Sequence, residues 1–213
     1  MPNGSSYKIR TKNRNLFLRV SGGHFATNHS HINYYIDVTT QKIRLSEAQA
    51  VAEALLGYYG SNTIIDTILC LDGTEVIGTC LADALTRGDF MNLNAHQTIY
   101  VVTPEHTAGS QIIFRDNIMP AITGKNVLVL AASVTTGYTA RAAVEAIRYY
   151  GGMVAGISAI FASIEECEGF KVNSVFDTND LGDYQTYPSH ECPMCRAGKK
   201  IDALVNSFGY SKI

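Results

Sequence analysis

Apolar and polar positions alternate near the start of the chain in Tyr7-Lys8-Ile9-Arg10-Thr11 and Leu16-Phe17-Leu18-Arg19-Val20, which predicts short half-exposed strands. Tyr34-Tyr35-Ile36-Asp37-Val38 is a further β-rich segment. The period changes at Ser46. Val51, Leu55 and Tyr58 recur at helical spacing, Ser46 is an N-cap candidate with Gln49 placed for a capping box, and Gly57 and Gly60 mark the end. Strand and helix patterns then alternate. Strands are predicted at 64–70, 99–103, 127–130 and, as the last one, 153–161. Helices are predicted at 77–85 and 139–150, the second stopped by Gly151-Gly152. Such alternation argues for an α/β fold whose mainly parallel sheet is covered by helices on both faces.

The 213 residues suit one domain with a small appendage, and 46% apolar against 17% charged residues excludes wholesale disorder. Seventeen basic and nineteen acidic residues leave a formal charge of −2, so no global field draws nucleic acid or an anionic membrane. Lys8, Arg10, Lys12, Arg14 and Arg19 form a local basic arm that reads as a solvated strand face or as a phosphate contact. No apolar run is long enough to span a bilayer, the first residues lack a signal-peptide pattern, and five cysteines do not suggest a disulfide framework. A cytoplasmic protein is expected.

The strongest chemical candidate is the segment from Val127 to Thr139, a strand running into Ser133-Val134-Thr135-Thr136-Gly137-Tyr138-Thr139 and then a helix. Unpaired amides at a helix N-terminus favour an anion, threonine hydroxyls add donors, and a glycine allows close approach. An ordinary capped helix after a strand fits the same residues. The segment has neither a Gly-Lys-Ser/Thr ending nor a GxGxxG turn.

This segment resembles the ribose-phosphate signature of type I phosphoribosyltransferases, with Ala131-Ala132 where that signature carries two acids. His31-Ile32-Asn33-Tyr34-Tyr35-Ile36-Asp37 is similar to a region of the orotate enzymes. Asp72-Gly73-Thr74-Glu75 occupies the place of their pyrophosphate-binding turn. The stretch from Tyr187 to Gly198, containing Cys192-Pro193-Met194-Cys195, resembles the C-terminal ending of one branch. The resemblance implies a small hood from residues 1–45, a phosphoribosyltransferase core at 46–165, and a hood and tail at 166–213. It also implies a 5′-phosphate site at Ser133, Thr135, Thr136, Gly137, Tyr138 and Thr139, and base contacts from Tyr34 and Tyr35. Catalytic roles would fall to His106 and Arg115 on a loop over the leaving group. Mg²⁺ would be needed if the protein is active, and a homodimer is expected, with Arg87, Arg115 and the basic arm as cross-subunit cations.

The departures fall on the chemistry. Ala131 and Ala132 cannot accept bonds from ribose hydroxyls, a loss on the order of 3–6 kcal/mol if uncompensated. The loop Pro104–Arg115 carries no lysine, the base-entry arginine is replaced by Ser30, and Glu165-Glu166 stand where a cation helps hold orotate. Two readings stay open. One is an orotate phosphoribosyltransferase-like enzyme moving ribose 5-phosphate from phosphoribosyl pyrophosphate to a nitrogen base. The other is a catalytically impaired module that binds a nucleoside monophosphate or phosphoribosyl pyrophosphate.

The remaining polar candidates have structural readings, with metal binding as the alternative. Cys192 and Cys195 make a single CxxC pair with His190 two residues upstream and Cys167 at a distance. Four close ligands are the usual need, so a Pro-bearing turn or a reduced thiol pair is the expectation and zinc the alternative. His24, His29 and His31 read as a solvated polar loop, with metal or phosphate binding as the alternative. Cys70 and Cys80 read as core residues.

Overall fold

A computed structural model describes residues 6–10, 16–59, 63–87, 92–95, 98–108 and 111–213. Thr11, Lys12, Arg14 and Gly60 from the readings above, and residues 109 and 110 of the Pro104–Arg115 loop, lie outside the described residues. The first elements are β1 (Ser6–Arg10), β2 (Phe17–Ala26), β3 (His31–Asp37), α1 (Thr39–Ile43) and α2 (Leu45–Leu56). The chain continues through β4 (Thr67–Cys70), α3 (Glu75–Thr86), β5 (Tyr100–Val102), β6 (Glu105–His106), β7 (Ile112–Ile113), β8 (Asn126–Val134) and α4 (Tyr138–Tyr149). After these come β9 (Met153–Ala162), β10 (Glu166–Cys167), β11 (Phe170–Asp177), β12 (Thr186–Tyr187), α5 (Pro193–Arg196), β13 (Ala203–Asn206) and β14 (Gly209–Lys212). Two compact units result, one from Gln41–Val175 and one from Met1–Thr40 together with Phe176–Ile213.

The first unit carries the α/β architecture. Its sheet has the order β10-β11-β9-β8-β4-β5, with β8 parallel to both β4 and β9, and β4 parallel to β5. Alternation along the strands sends Leu69, Val129, Ala131, Ile157 and Ala159 into one core with Ala143, Val144 and Ile147 of α4. Ile68 and Cys70, of the opposite parity, meet α3 where Gly78 lets the helix close in. Both faces are therefore covered, as the alternating pattern predicts. No helix among the described residues is long and apolar enough to cross a membrane.

Three details differ from the sequence expectation. Helix α2 starts before Ser46, because the Arg44 carbonyl accepts from the amides of Glu47 and Ala48 (3.0 and 2.9 Å) and no side-chain cap forms. Arg44 instead pairs with Glu47 at 3.2 Å. Strand β8 runs on through Val134, since Ser133 and Val134 keep pairing with Phe161 and Ala162. The strand β9 is not the last: β10 to β14 follow it.

The second unit is a sheet of order β12-β3-β2-β13-β14, with β1 also pairing to β2. Strands β2 and β3 are antiparallel and β13 joins β2 in parallel. Three residue steps of β2 (Gly22 to Phe25) lie opposite two of β3 (Tyr34 to Ile32), a bulge that re-aims the side chains between them.

Candidate functional site

The turn between β8 and α4 is built by one left-handed residue. Gly137 has φ 79°, and its carbonyl accepts the first bond of α4 from the Arg141 amide at 2.8 Å. The amides of Thr139 and Ala140 precede that bond, so α4 supplies them no partner. Thr135 is half-buried, while Ser133, Thr136, Tyr138 and Thr139 are exposed. The hydroxyls of Ser133, Thr135, Thr136 and Thr139 engage no partner among the described residues. Amides and hydroxyls thus gather at one helix end, an arrangement that suits an anion with several oxygens. Arg141 and Glu168 form an ion pair at 2.7 Å, the cation standing in the first turn of α4. Ala131 and Ala132 are buried inside β8, Ala131 within the core under α4, and neither has a side-chain oxygen to offer a ligand.

The turn after β4 is strained. Asp72 (φ 59°) and Gly73 (φ 78°) are both left-handed, and the aspartate pays the steric cost for lack of glycine's freedom. The buried Lys42 donates from Nζ to the Asp72 carbonyl at 2.7 Å and so supports the turn from beneath. Thr74 is fully buried and its hydroxyl is committed to the carbonyls of Leu71 (2.8 Å) and Leu130 (3.0 Å), locking β4 to β8. Of the four residues named for pyrophosphate, Asp72, Gly73 and Glu75 therefore remain accessible.

His106 and Arg115 belong to the β6–β7 hairpin region. His106 is exposed and pairs through its backbone with Ile112. Arg115 grips Glu105 with two nitrogens, Nε at 3.0 Å and Nη2 at 2.7 Å from the same carboxylate oxygen. The guanidinium holds the Glu105 carboxyl below the usual carboxylate range. In the other unit, Tyr35 is a core residue beside Phe25 and Tyr210, and burial pushes its hydroxyl up to about 12. Tyr34 is half-buried and its hydroxyl donates to Asp183 at 2.7 Å.

No protein-family model and no curated protein matches the chain. Solved structures do. Orotate phosphoribosyltransferase from Aeropyrum pernix aligns with a TM-score of 0.56 at 18% identity, over 76% of this chain and 90% of that one. A phosphoribosyltransferase from Corynebacterium diphtheriae gives 0.53 at 21% identity, over 77% and 91%. Orotate phosphoribosyltransferase from Mycobacterium tuberculosis H37Rv, in complex with inorganic phosphate, gives 0.51 at 20%, over 71% and 82%. The chain has a type I phosphoribosyltransferase fold. At these identities the likeness is one of architecture.

Within this phosphoribosyltransferase fold, two groups of polar residues escaped the sequence reading. Lys42 stands in no pattern the sequence shows, and its partner is a backbone carbonyl thirty positions away. The second group overturns the solvated-loop expectation for two of its three histidines. His24 and His31 are buried and their rings meet edge to face, whereas His29 stays exposed. Cys192 and Cys195 join them, and one ligand-capable atom from each of the four lies within 4.8 Å of the others. Burial and the neighbouring His24 hold the His31 imidazole below its ordinary value. His190 pairs instead with Glu191 at 3.3 Å, and Cys167 sits against the Gly137 carbonyl at 3.7 Å.

Proposed function

We propose that the β8–α4 turn binds the 5′-phosphate of a ribose 5-phosphate group, carried by phosphoribosyl pyrophosphate or a nucleoside monophosphate, and that the protein works chiefly as a binding module. The observation that carries this reading is the left-handed Gly137, which opens α4 beside the hydroxyls of Ser133, Thr135, Thr136 and Thr139 and the amides of Thr139 and Ala140. The fold supports it, since one structure of the Mycobacterium tuberculosis orotate phosphoribosyltransferase with this fold was solved with 5-phospho-alpha-D-ribosyl 1-diphosphate. Weak or absent transfer follows from the apolar pair Ala131-Ala132 and from Arg115 being engaged by Glu105. Developing positive charge on a ribose ring would find no carboxylate at that pair, and such stabilisation is usually the largest catalytic contribution. Mg²⁺, which the resemblance places on the pyrophosphate, would find no carboxylate at Ala131-Ala132.

A second reading, transfer to orotate or another base, is favoured by the supported turn at Asp72-Gly73, which stands where the resemblance puts the pyrophosphate contacts. Calorimetric titration with ribose 5-phosphate, phosphoribosyl pyrophosphate and orotidine monophosphate, with and without Mg²⁺, tests binding. Thr136→Ala should weaken all three by roughly ten- to a hundredfold, the worth of one hydrogen bond to a charged group. No heat from the unaltered protein would reject the site. A pyrophosphate-release assay over a panel of bases separates the two readings, and robust turnover with orotate would reject the binding module. A homodimer, implied by the resemblance, would show as twice the chain mass in solution scattering.

A further inference from the structure

We propose that His24, His31, Cys192 and Cys195 form a closed structural zinc site. Zinc bound by two imidazoles and two thiolates is tetrahedral, with Zn–N near 2.0–2.1 Å and Zn–S near 2.3 Å. Those lengths put the nitrogens about 3.3 Å apart and each nitrogen about 3.6 Å from each sulfur. Here His24 Nε2 and His31 Nδ1 are 3.1 Å apart. His24 Nε2 lies 3.5 Å from Cys192 Sγ and 3.6 Å from Cys195 Sγ, and His31 Nδ1 lies 3.2 Å from Cys195 Sγ. The separations fit one ion at the centre.

Hydrogen bonding to the other ring nitrogen points the same way. His24 Nδ1 faces the carbonyls of Lys199 (2.9 Å) and Lys200 (3.2 Å), which can only accept, so the proton sits on Nδ1. That leaves the Nε2 lone pair aimed into the cluster, the orienting arrangement typical of metal-bound histidine. The His24 backbone is fixed as well: its amide donates to Asp202 Oδ2 and its carbonyl accepts from the Asp202 amide, both at 2.7 Å. The bulge in β2 turns His24 inward, and β3 begins at His31. Cys192 is the N-cap of α5 and Cys195 lies within its single turn, where the Arg196 amide donates to the Cys192 carbonyl and the Gly198 amide to that of Cys195.

The charge balances. On binding, each thiol releases its proton to solvent and becomes a thiolate, while the imidazoles donate lone pairs without changing protonation. One dication and two thiolates sum to zero, so a fully buried His24 and a nearly fully buried Cys192 face no net charge. Four protein ligands leave no open position for water or substrate, which makes the site structural. All four residues belong to the unit formed by Met1–Thr40 and Phe176–Ile213, so the ion would join its two sequence-distant halves.

The test uses the full chain purified without added metal or chelator. Elemental analysis should give about one zinc per chain. Cys195→Ser should lose most of it, and Cys80→Ser, altering a cysteine outside the cluster, should keep it. Because the Cys195 variant could fail to fold, a second measurement uses the unaltered protein. Stripping with a strong chelator should expose Cys192 and Cys195 to a thiol reagent and lower the melting temperature. Refilling with Co²⁺ should then give the intense visible bands of a tetrahedral thiolate site. Zinc-free protein with a Cys192–Cys195 disulfide, stoichiometric iron instead of zinc, or thiol reactivity unchanged by chelation would each overturn the proposal.

Discussion

Replacing Gly137 by alanine tests the turn on which the phosphate reading depends. At φ 79° a side chain costs about 1–2 kcal/mol, of which the stiffer unfolded chain of alanine returns about 0.4–1 kcal/mol. Crowding adds to this. A Cβ at Gly137 would lie 3.2 Å from Ile164 Cδ1 and 3.3 Å from Cys167 Sγ, and overpacking of that kind costs about 1–3 kcal/mol. The expected loss is therefore about 2–4 kcal/mol. Gly124 supplies the control, being left-handed at φ 69° with nothing within 4 Å of an added Cβ, so that Gly124→Ala should lose only about 1 kcal/mol. Urea unfolding followed by circular dichroism reads the difference as a shift in midpoint at constant slope. Equal losses for the two variants would refute the account of the Gly137 environment.

Four further outcomes are expected. Tyr59→Phe removes the hydroxyl that partners the fully buried Ser158 and should cost about 1–3 kcal/mol in the same urea assay. Ala131→Asp puts a carboxylate into the core beneath α4 and should lower the melting temperature by several degrees or prevent folding, whereas a stable variant would show that the position is not core. Glu168→Gln frees Arg141 at the start of α4 and should modestly tighten ribose 5-phosphate in calorimetry; unchanged affinity would remove Arg141 from the site. Burial pushes Cys70 up to about 12, so the native state keeps a proton that the unfolded state releases from about pH 8.5. Its contribution to stability is full below that pH and is lost as pH rises toward 12, while Cys70→Ala should flatten part of that alkaline fall.

The α/β architecture was legible because β4, β8 and β9 are apolar on both faces and the intervening helices carry their own period, as at Ala143, Val144 and Ile147. The β8–α4 turn was legible as a strand-to-helix turn because Gly137 stands between the apolar run of β8 and the helical period of α4. What escaped the sequence was held by distant partners. Ser46 looked like a cap, yet the helix starts at a carbonyl of Arg44, a choice no side chain announces. Strand β8 extends past Leu130 only because β9 stays beside it, and β12 to β14 are too short to show a period. Tyr35 and Tyr34 are neighbours in sequence but opposite in environment, one in a core and one at Asp183. His24 and Cys192 stand 168 positions apart, beyond any local pattern.

The interleaving of the two units has a consequence for synthesis. Gln41–Val175 is continuous and can fold as soon as it leaves the ribosome. Strands β2 and β3 are translated earlier, yet their neighbours β13 and β12 are translated after the whole of that segment. The first forty residues must therefore wait, with an open sheet edge, until translation has passed Asn206. Until then that edge is a template for mispairing with another chain.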